Sequence, residues 1–498
     1  MHAMSTKLSL ADLGAISAKA AVPAYRRGDL KAGIVHFGIG NFHRAHQAVY
    51  LDELFNSGKD HDWALIGAGV TGYDSAMRDK LKGQDYLTTV VEQDVGKSAA
   101  RVTGAMIDFL DPDDRAGTIE KIADPAIRIV SMTITEGGYF INPASGKFDP
   151  GHPAIAADAA NPSDPRTVFG IILAGLRLRR KRGIVPFTVM SCDNIPGNGH
   201  VTENAVAGLA RLSDDTGFAD WIAENVAFPN SMVDRITPAT GAREIEHCRE
   251  NFGIDDAWPV YCEEFKQWVM EDHFTAGRPA LEDVGVTFVD DVAPFELMKI
   301  RILNGGHAAI AYPGALMDIH FVHETMEEPL IRDFLAKLET TEIISCVPPV
   351  PNTDIQDYFK LIERRFANPK IGDTVARLAQ DGSNRQPKFI LPSTADRLAK
   401  GEDVQGLALV SALWCRYFEG RSDSGKAIEF NDANAERLQK AAIASRDNPL
   451  AFLELKDIFG EVGESAQFRK RFTEALGSLR RNGTRATLRA YIDGSLGA

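Results

Sequence analysis

Residues 34–46 read Ile34-Val-His-Phe-Gly-Ile-Gly-Asn-Phe-His-Arg-Ala-His46, and this stretch decides the fold. The strand-like run Ile34 to Phe37 enters Gly38-Ile39-Gly40, and a helix-like stretch, Ala45 to Leu54, follows. A strand that runs through a glycine turn into a helix begins a parallel α/β layer. Glycine permits the tight turn and lets the backbone approach a pyrophosphate, and the helix start supplies free N–H groups and a partial positive charge. The usual third glycine is missing, because His43 stands in its place. By spacing alone, Gly38, Ile39 and Gly40 are either a dinucleotide-binding turn or an ordinary strand-to-helix turn. Asn41, Phe42, His43 and Arg44 fill the next turn, with His46 beyond. Positive side chains oppose the helix dipole there, so they imply either an anionic ligand or a solvated basic patch.

Outward from this stretch the pattern repeats. Trp63 to Ile66 closes on Gly67-Ala68-Gly69, and Ile127 to Ile134 and Phe187 to Ser191 are further short apolar runs. Helix-like segments such as Thr167 to Arg179 lie between them. Strands alternating with helices predict an α/β, doubly wound parallel sheet. From about Pro294 the character changes. The segments 295–311, 327–340, 355–366, 406–418 and 467–479 carry helical periodicity, and strand signals are few. The expected division is an α/β domain over residues 1–288 and a mostly helical domain over 289–498. An acidic residue beyond the second strand normally holds the adenosine ribose of NAD. Asp74, after Thr71-Gly72-Tyr73, is the candidate, and it would repel the 2′-phosphate of NADP; a turn-capping aspartate is the competing reading.

Bulk properties narrow the function classes. The chain has 498 residues, which favours two domains over one core. It carries 55 basic against 69 acidic residues, a formal charge of -14. That balance, with no basic-aromatic stripe, argues against nucleic-acid and anionic-membrane partners. Cys192, Cys248, Cys262, Cys346 and Cys415 are scattered, with no C-x-x-C pair, so neither a disulfide framework nor a structural zinc site is expected. The first residues lack a secretory pattern and no apolar run reaches the roughly 20 residues of a membrane span, so a cytoplasmic protein is expected.

The chemistry is carried by the segment 294–310, Pro-Phe-Glu-Leu-Met-Lys-Ile-Arg-Ile-Leu-Asn-Gly-Gly-His-Ala-Ala-Ile. On a regular helix of about 100° per residue, Lys299, Glu296, Asn304 and His307 share one broad face and Arg301 lies opposite. The helix is otherwise almost wholly apolar and should be buried. Burial disfavours the ammonium form of a lysine, which prepares a general base. Gly305 and Gly306 should cost about 1 kcal/mol each inside a helix, so something approaches the backbone closely or the helix bends. Alcohol oxidation suits these groups. Neutral Lys299 takes the hydroxyl proton, Asn304 donates to the developing alkoxide, His307 positions a hydroxyl and NAD accepts the hydride. No zinc-ligand cluster is present in the sequence and none is needed. The alternative for this segment is a core helix with a snorkelling lysine and a satisfied histidine.

Five blocks occur in order: Gly38-Ile-Gly-Asn-Phe-His-Arg-Ala-His46, Thr133-Ile-Thr-Glu-Gly-Gly-Tyr139, Ser191-Cys-Asp-Asn194, Met232-Val-Asp-Arg235, and Lys299 with Asn304 and His307. Together they resemble the polyol-specific long-chain dehydrogenases, the mannitol dehydrogenase family, over residues of about 30 to 485. The resemblance implies a Rossmann-like N-terminal domain, a mostly α-helical C-terminal domain, and NAD or NADP without metal. It implies Lys299 as base with Asn304 and His307 at the substrate oxygen, and Glu296 conducting the released proton to solvent. It places Asn194 and Asp234 against cofactor ribose or polyol hydroxyls, and Arg377 and Arg385 at the far end of the polyol. Arg385 stands where the family usually carries lysine. The implied reaction is D-mannitol to D-fructose, with D-arabinitol and D-sorbitol as further substrates. Two alternatives remain: a fructuronate reductase (D-mannonate oxidoreductase), whose carboxylate the two arginines would hold, and a non-catalytic NAD-binding regulator, which would not need Lys299, Asn304 and His307 together.

Overall fold

The computed structural model describes residues 5–142, 146–213 and 216–497. The chain forms two compact units, Met1–Ala293 and Pro294–Ala498. The first unit extends past residue 288 because Thr287–Val289 is a strand paired with Gln267–Glu271, inside that unit.

The first unit is built on five parallel strands: β1 (Ala32–Phe37), β2 (Ala64–Ala68), β3 (Met106–Phe109), β4 (Ile129–Met132) and β5 (Thr188–Ser191). Their spatial order is β3-β2-β1-β4-β5, with β1 flanked in parallel register by β2 and β4. This is the Rossmann order. The chain travels one way from β1 to β3, then returns to the other side of β1 for β4 and β5, leaving a switch point between β1 and β4. Period-2 alternation splits the strand residues between two cores. Val35, Phe37, Ile66, Val130, Met132 and Val189 join one cluster, whereas Ile34, Leu65, Ile129 and Met190 join the other. Both faces are buried, which is why these strands read as unbroken apolar runs.

Four helices bear on the site. α1 (Asn41–Ala45) and α2 (Gln47–Asn56) follow β1 with a break at His46, so the helix expected from Ala45 to Leu54 is two pieces. α3 (Gly72–Lys82) follows β2. α4 (Val168–Arg182) is capped by the Thr167 side chain on the N–H of Gly170 and ends on Gly183 at φ 68°. A second sheet pairs Ser231–Asp234 antiparallel to Gln267–Glu271, so Asp234 opposes Gln267.

The second unit carries no named strand among the described residues, in keeping with the sequence. α5 (Ala293–Met298) runs into a π-helical segment, Lys299–Asn304, and then into α6 (Gly305–Leu316). α7 (Pro329–Leu338) likewise passes into a π-helical segment, Glu339–Ile343. α8 (Ile355–Phe366) begins and ends where its periodicity does. α9 (Gln405–Tyr417) is apolar on every side and buried along nearly its whole length, packed on α6 and on α10 (Ala466–Ile492). α10 outruns its predicted end at Leu479. The chain breaks at Gly483 (φ 78°), where Thr484 N–H donates to Asp423, and then resumes its helix.

Candidate active site

In the first unit, a cavity of about 580 Å³ opens at the carboxyl ends of β1 and β4, the switch point of the sheet. Gly38, Ile39, Gly40, Asp74, Thr133 and Thr135 are among the residues that line it. Gly38 has φ 91°, and a Cβ there would lie 2.0 Å from the Thr133 carbonyl oxygen, so the turn admits only glycine. Gly40 differs. Its φ is -83° and nothing lies within 4 Å of where its Cβ would stand. The protein itself does not require glycine at 40, but a ligand brought against the backbone would. That open cradle at a helix start fits a dinucleotide pyrophosphate.

The opposite wall is set by Asp193, which follows β5. Its carboxylate accepts from the N–H groups of Ile134 and Thr135 (2.8 and 2.9 Å) and from the Tyr139 hydroxyl (2.7 Å), and burial holds its pKa above the ordinary aspartate value. These bonds hold Thr135 at φ 62°, an uncommon conformation for a β-branched residue. Thr133, Thr135 and Asp193 are site residues that the sequence motifs do not mark individually. Their only sequence signal was membership in the blocks 133–139 and 191–194. Asn194 is exposed immediately beyond Asp193, and Asp234 is buried at the end of its strand.

The basic cluster is a correction. His43, Arg44 and His46 are buried, which removes the solvated-patch reading. Burial lowers His46 to about 3 and His43 well below the usual imidazole value, so both rings are neutral and attract no anion. Arg44 donates to the Trp258 carbonyl (2.6 Å) and to Asn41 Oδ1 (2.9 Å), Asn41 donates to Thr240, and Phe42 stacks on His46. The side chains of Asn41, Phe42, His43 and Arg44 thus brace the turn from inside the unit.

Asp74 lines the cavity and also caps α3. Its Oδ2 accepts from the N–H groups of Val70 and Thr71 (3.1 and 2.9 Å) and from the Thr71 hydroxyl (2.6 Å), while its own N–H donates to Thr71 Oγ1. The capping alternative is realised in full. It also explains Gly69, where a Cβ would meet Asp74 Cγ at 2.2 Å.

In the second unit, Lys299 is 6% exposed and opens the π-helical segment, which Asn304 closes. The expected 100° spacing does not hold across it, because π geometry shifts the hydrogen-bond step from four residues to five. Residue propensities carry no signal for this. The segment is tethered by Arg301, which bonds the Cys346 carbonyl and pairs with Asp396 (2.6 Å), and it packs against the second π-helical segment. His307, in the first turn of α6, stacks on Phe366 with ring centroids 4.1 Å apart. Its imidazole is lowered to about 3, by burial first and then by the charges of Arg377, Arg365 and Arg385 against Asp373. His307, Arg377 and Arg385 are therefore neighbours. Arg377 is held by a two-point pair with Asp373, and Arg385 donates to the Leu378 carbonyl (2.7 Å). Glu296 is half-buried one turn before Lys299. Of the glycine pair, Gly306 has a protein-side reason. A Cβ on Gly306 would lie 3.2 Å from the Phe366 ring and 3.4 Å from Glu339 Oε1. Glu339 is fully buried, and burial raises its carboxyl well above the ordinary value.

Family models agree with this architecture. Residues 32–283 match the mannitol dehydrogenase Rossmann domain and residues 291–480 match the mannitol dehydrogenase C-terminal domain. The chain belongs to the mannitol dehydrogenase family. Among relatives in that family, mannitol 2-dehydrogenase of Cereibacter sphaeroides is 57% identical over 94% of this chain and 98% of its own length. Mannitol 2-dehydrogenase of Pyricularia oryzae is 42% identical over 98% of this chain and 100% of its own. The solved Pseudomonas fluorescens mannitol 2-dehydrogenase, a ternary complex with NAD and D-mannitol, is 43% identical with a TM-score of 0.88, covering 98% of this chain and 100% of that one. A D-sorbitol dehydrogenase in substrate-free form is 36% identical with a TM-score of 0.89, covering 97% and 100%.

Proposed function

We propose that this chain is an NAD-dependent, metal-independent polyol dehydrogenase that oxidises a secondary alcohol to a ketose, D-mannitol to D-fructose first, with D-arabinitol and D-sorbitol as further substrates. The observation that carries the reading is the 43% identity and TM-score of 0.88, over 98% of the chain, to a mannitol 2-dehydrogenase bound to NAD and D-mannitol. NAD, when bound, accepts the hydride from the carbinol carbon. The turn Gly38-Ile39-Gly40 and the first backbone N–H groups of α1, at Asn41 and Phe42, hold its pyrophosphate, with His43 and Arg44 bracing them. Asp74 offers Oδ1 to the ribose hydroxyls, since Oδ2 is committed to the cap.

Lys299 takes the hydroxyl proton as the C=O bond forms. Asn304 and the neutral His307 donate hydrogen bonds to that oxygen, which stabilises its developing negative charge. Glu296 passes the proton from Lys299 toward solvent. Asn194 and Asp234 bind ribose or polyol hydroxyls, and Arg377 and Arg385 contact the far end of the polyol. Arg377 is already matched by Asp373, which favours a neutral polyol over a carboxylate-bearing D-mannonate. The same family placement and the joint presence of Lys299, Asn304 and His307 disfavour a non-catalytic regulator. The proposal is of a protein of the cytoplasm; no helix among the described residues is long and apolar enough to cross a membrane.

The test is NADH formation with D-mannitol, D-arabinitol, D-sorbitol or D-mannonate in separate reactions. Turnover with mannitol well above that with mannonate is expected; turnover confined to mannonate overturns the polyol reading.

A further inference from the structure

Beneath the glycine turn lies a line of buried and half-buried polar side chains that the proposed chemistry does not use. His36 sits in the middle of β1 and is 0% exposed. Its Nδ1 is 2.7 Å from Ser131 Oγ and its Nε2 is 3.0 Å from Thr133 Oγ1. Ser131 Oγ is 3.2 Å from the atom placed as Gln47 Oε1, and the Thr133 hydroxyl donates to the Gly38 carbonyl at 2.7 Å. The line therefore starts in α2, crosses β4 and β1, and ends on the carbonyl of the glycine whose φ of 91° makes the turn. His43 stacks on the His36 ring at 3.6 Å and 21° and closes the other side.

The protons on this line can be placed. Thr133 has one hydroxyl proton, and the Gly38 carbonyl takes it, so Thr133 Oγ1 must accept from His36. His36 Nε2 therefore carries a proton. A second proton on Nδ1 would make a buried cation against the His43 ring with no carboxylate on the line, and burial lowers this imidazole to about 3. Nδ1 is then the acceptor, the Ser131 hydroxyl donates to it, and Ser131 accepts in turn from the Gln47 amide N–H. The amide oxygen and nitrogen are interchangeable by shape, so only the nitrogen orientation satisfies every member. All four bonds point the same way, toward Gly38, and a chain aligned in this manner reinforces each of its bonds.

We infer that His36, as its Nε2–H tautomer, is a positioning residue for the nucleotide, acting through Thr133 to fix the Gly38 turn against which the pyrophosphate is bound. This rests on the dinucleotide reading of the cavity. It makes His36 and Thr133 one unit, so their removal is not additive.

The experiment uses the full chain and four variants: His36→Phe, which keeps a stacking ring, Thr133→Val, Thr133→Ser, and the double His36→Phe/Thr133→Val. NAD dissociation constants are measured by titration, together with KM for D-mannitol at saturating NAD. Loss of the buried bonds is expected to weaken NAD about tenfold in either single variant. The double variant should be no weaker than the worse single one, Thr133→Ser should match wild type, and mannitol KM should be unmoved. NAD affinity unchanged in Thr133→Val, or an additive loss of about a hundredfold in the double variant, overturns the inference. Should His36→Phe fail to fold, the ¹⁵N imidazole resonances of His36 in the wild-type protein decide independently of nucleotide: an Nδ1–H tautomer overturns the relay. A wild-type protein that binds NAD nowhere overturns the dinucleotide reading itself, an outcome distinct from wild-type binding with insensitive variants.

Discussion

Gly38 and Gly40 are two residues apart and answer to different masters. Gly38 is required by the protein, through its φ of 91° and the Thr133 carbonyl; nothing in the protein approaches the Cβ position of Gly40. Gly38→Ala is expected to lose about 1–3 kcal/mol from backbone strain alone, and the clash adds to it, so urea unfolding should shift to a clearly lower midpoint. Gly40→Ala should unfold as wild type does yet bind NAD about tenfold or more weakly, the size of one charged hydrogen bond. Unaltered NAD titration in Gly40→Ala would remove the pyrophosphate from this turn. At Lys299, burial and sequence context point to the base. Lys299→Ala should lower kcat for mannitol oxidation about 10²–10⁴-fold while NAD binding survives, and near-normal turnover would sink the assignment.

Among the elements, α3 owes its start to Asp74, which completes a capping box with Thr71 and folds back over Gly69. Asp74→Ala should therefore do two things: destabilise the protein by about 0.5–2 kcal/mol in urea unfolding, and relax the preference for NAD over NADP in steady-state rates. A stability loss with an unchanged cofactor ratio would leave Asp74 as a cap only. The second π-helical segment, Glu339–Ile343, carries a further test. Glu339 is fully buried with its carboxyl raised, so the folded state holds a proton that the unfolded chain releases above about pH 4.5. A raised folded pKa contributes stability that is complete below the unfolded pKa and is lost as pH rises toward the folded one, by about 1.4 kcal/mol per pH unit. Glu339→Gln keeps the shape without the proton. Its urea midpoint relative to wild type should rise as pH increases above about 4.5, and a pH-independent difference would show that Glu339 ionises freely.

At the scale of the molecule, no group of three or more His, Cys, Asp or Glu side chains among the described residues is placed to hold a metal ion, and the chemistry proposed for Lys299 needs none. Prolonged EDTA treatment should leave mannitol oxidation intact; a loss reversed by zinc would refute the metal-independent mechanism. What the sequence determined by itself is whatever depends on local pattern. Short apolar runs, each closed by small or polar residues, marked four strands of the central sheet, because strands buried on both faces leave no polar alternation. The helical periodicity of 355–366 set α8 to the residue, and the polar face of segment 294–310 made Lys299, Asn304 and His307 candidates. The tertiary structure decided whatever depends on what a side chain meets. Histidines 43 and 46 are cationic candidates on paper and neutral rings in the core, because desolvation outweighs the pull of any partner. The π-helical turn between Lys299 and Asn304 has no signature in propensity, since tethers such as Arg301 to Asp396 join residues far apart in the chain. The line from Gln47 through Ser131, His36 and Thr133 to Gly38 joins partners 84 to 97 positions apart in sequence and exists only where β1 lies beside β4, which no local pattern encodes.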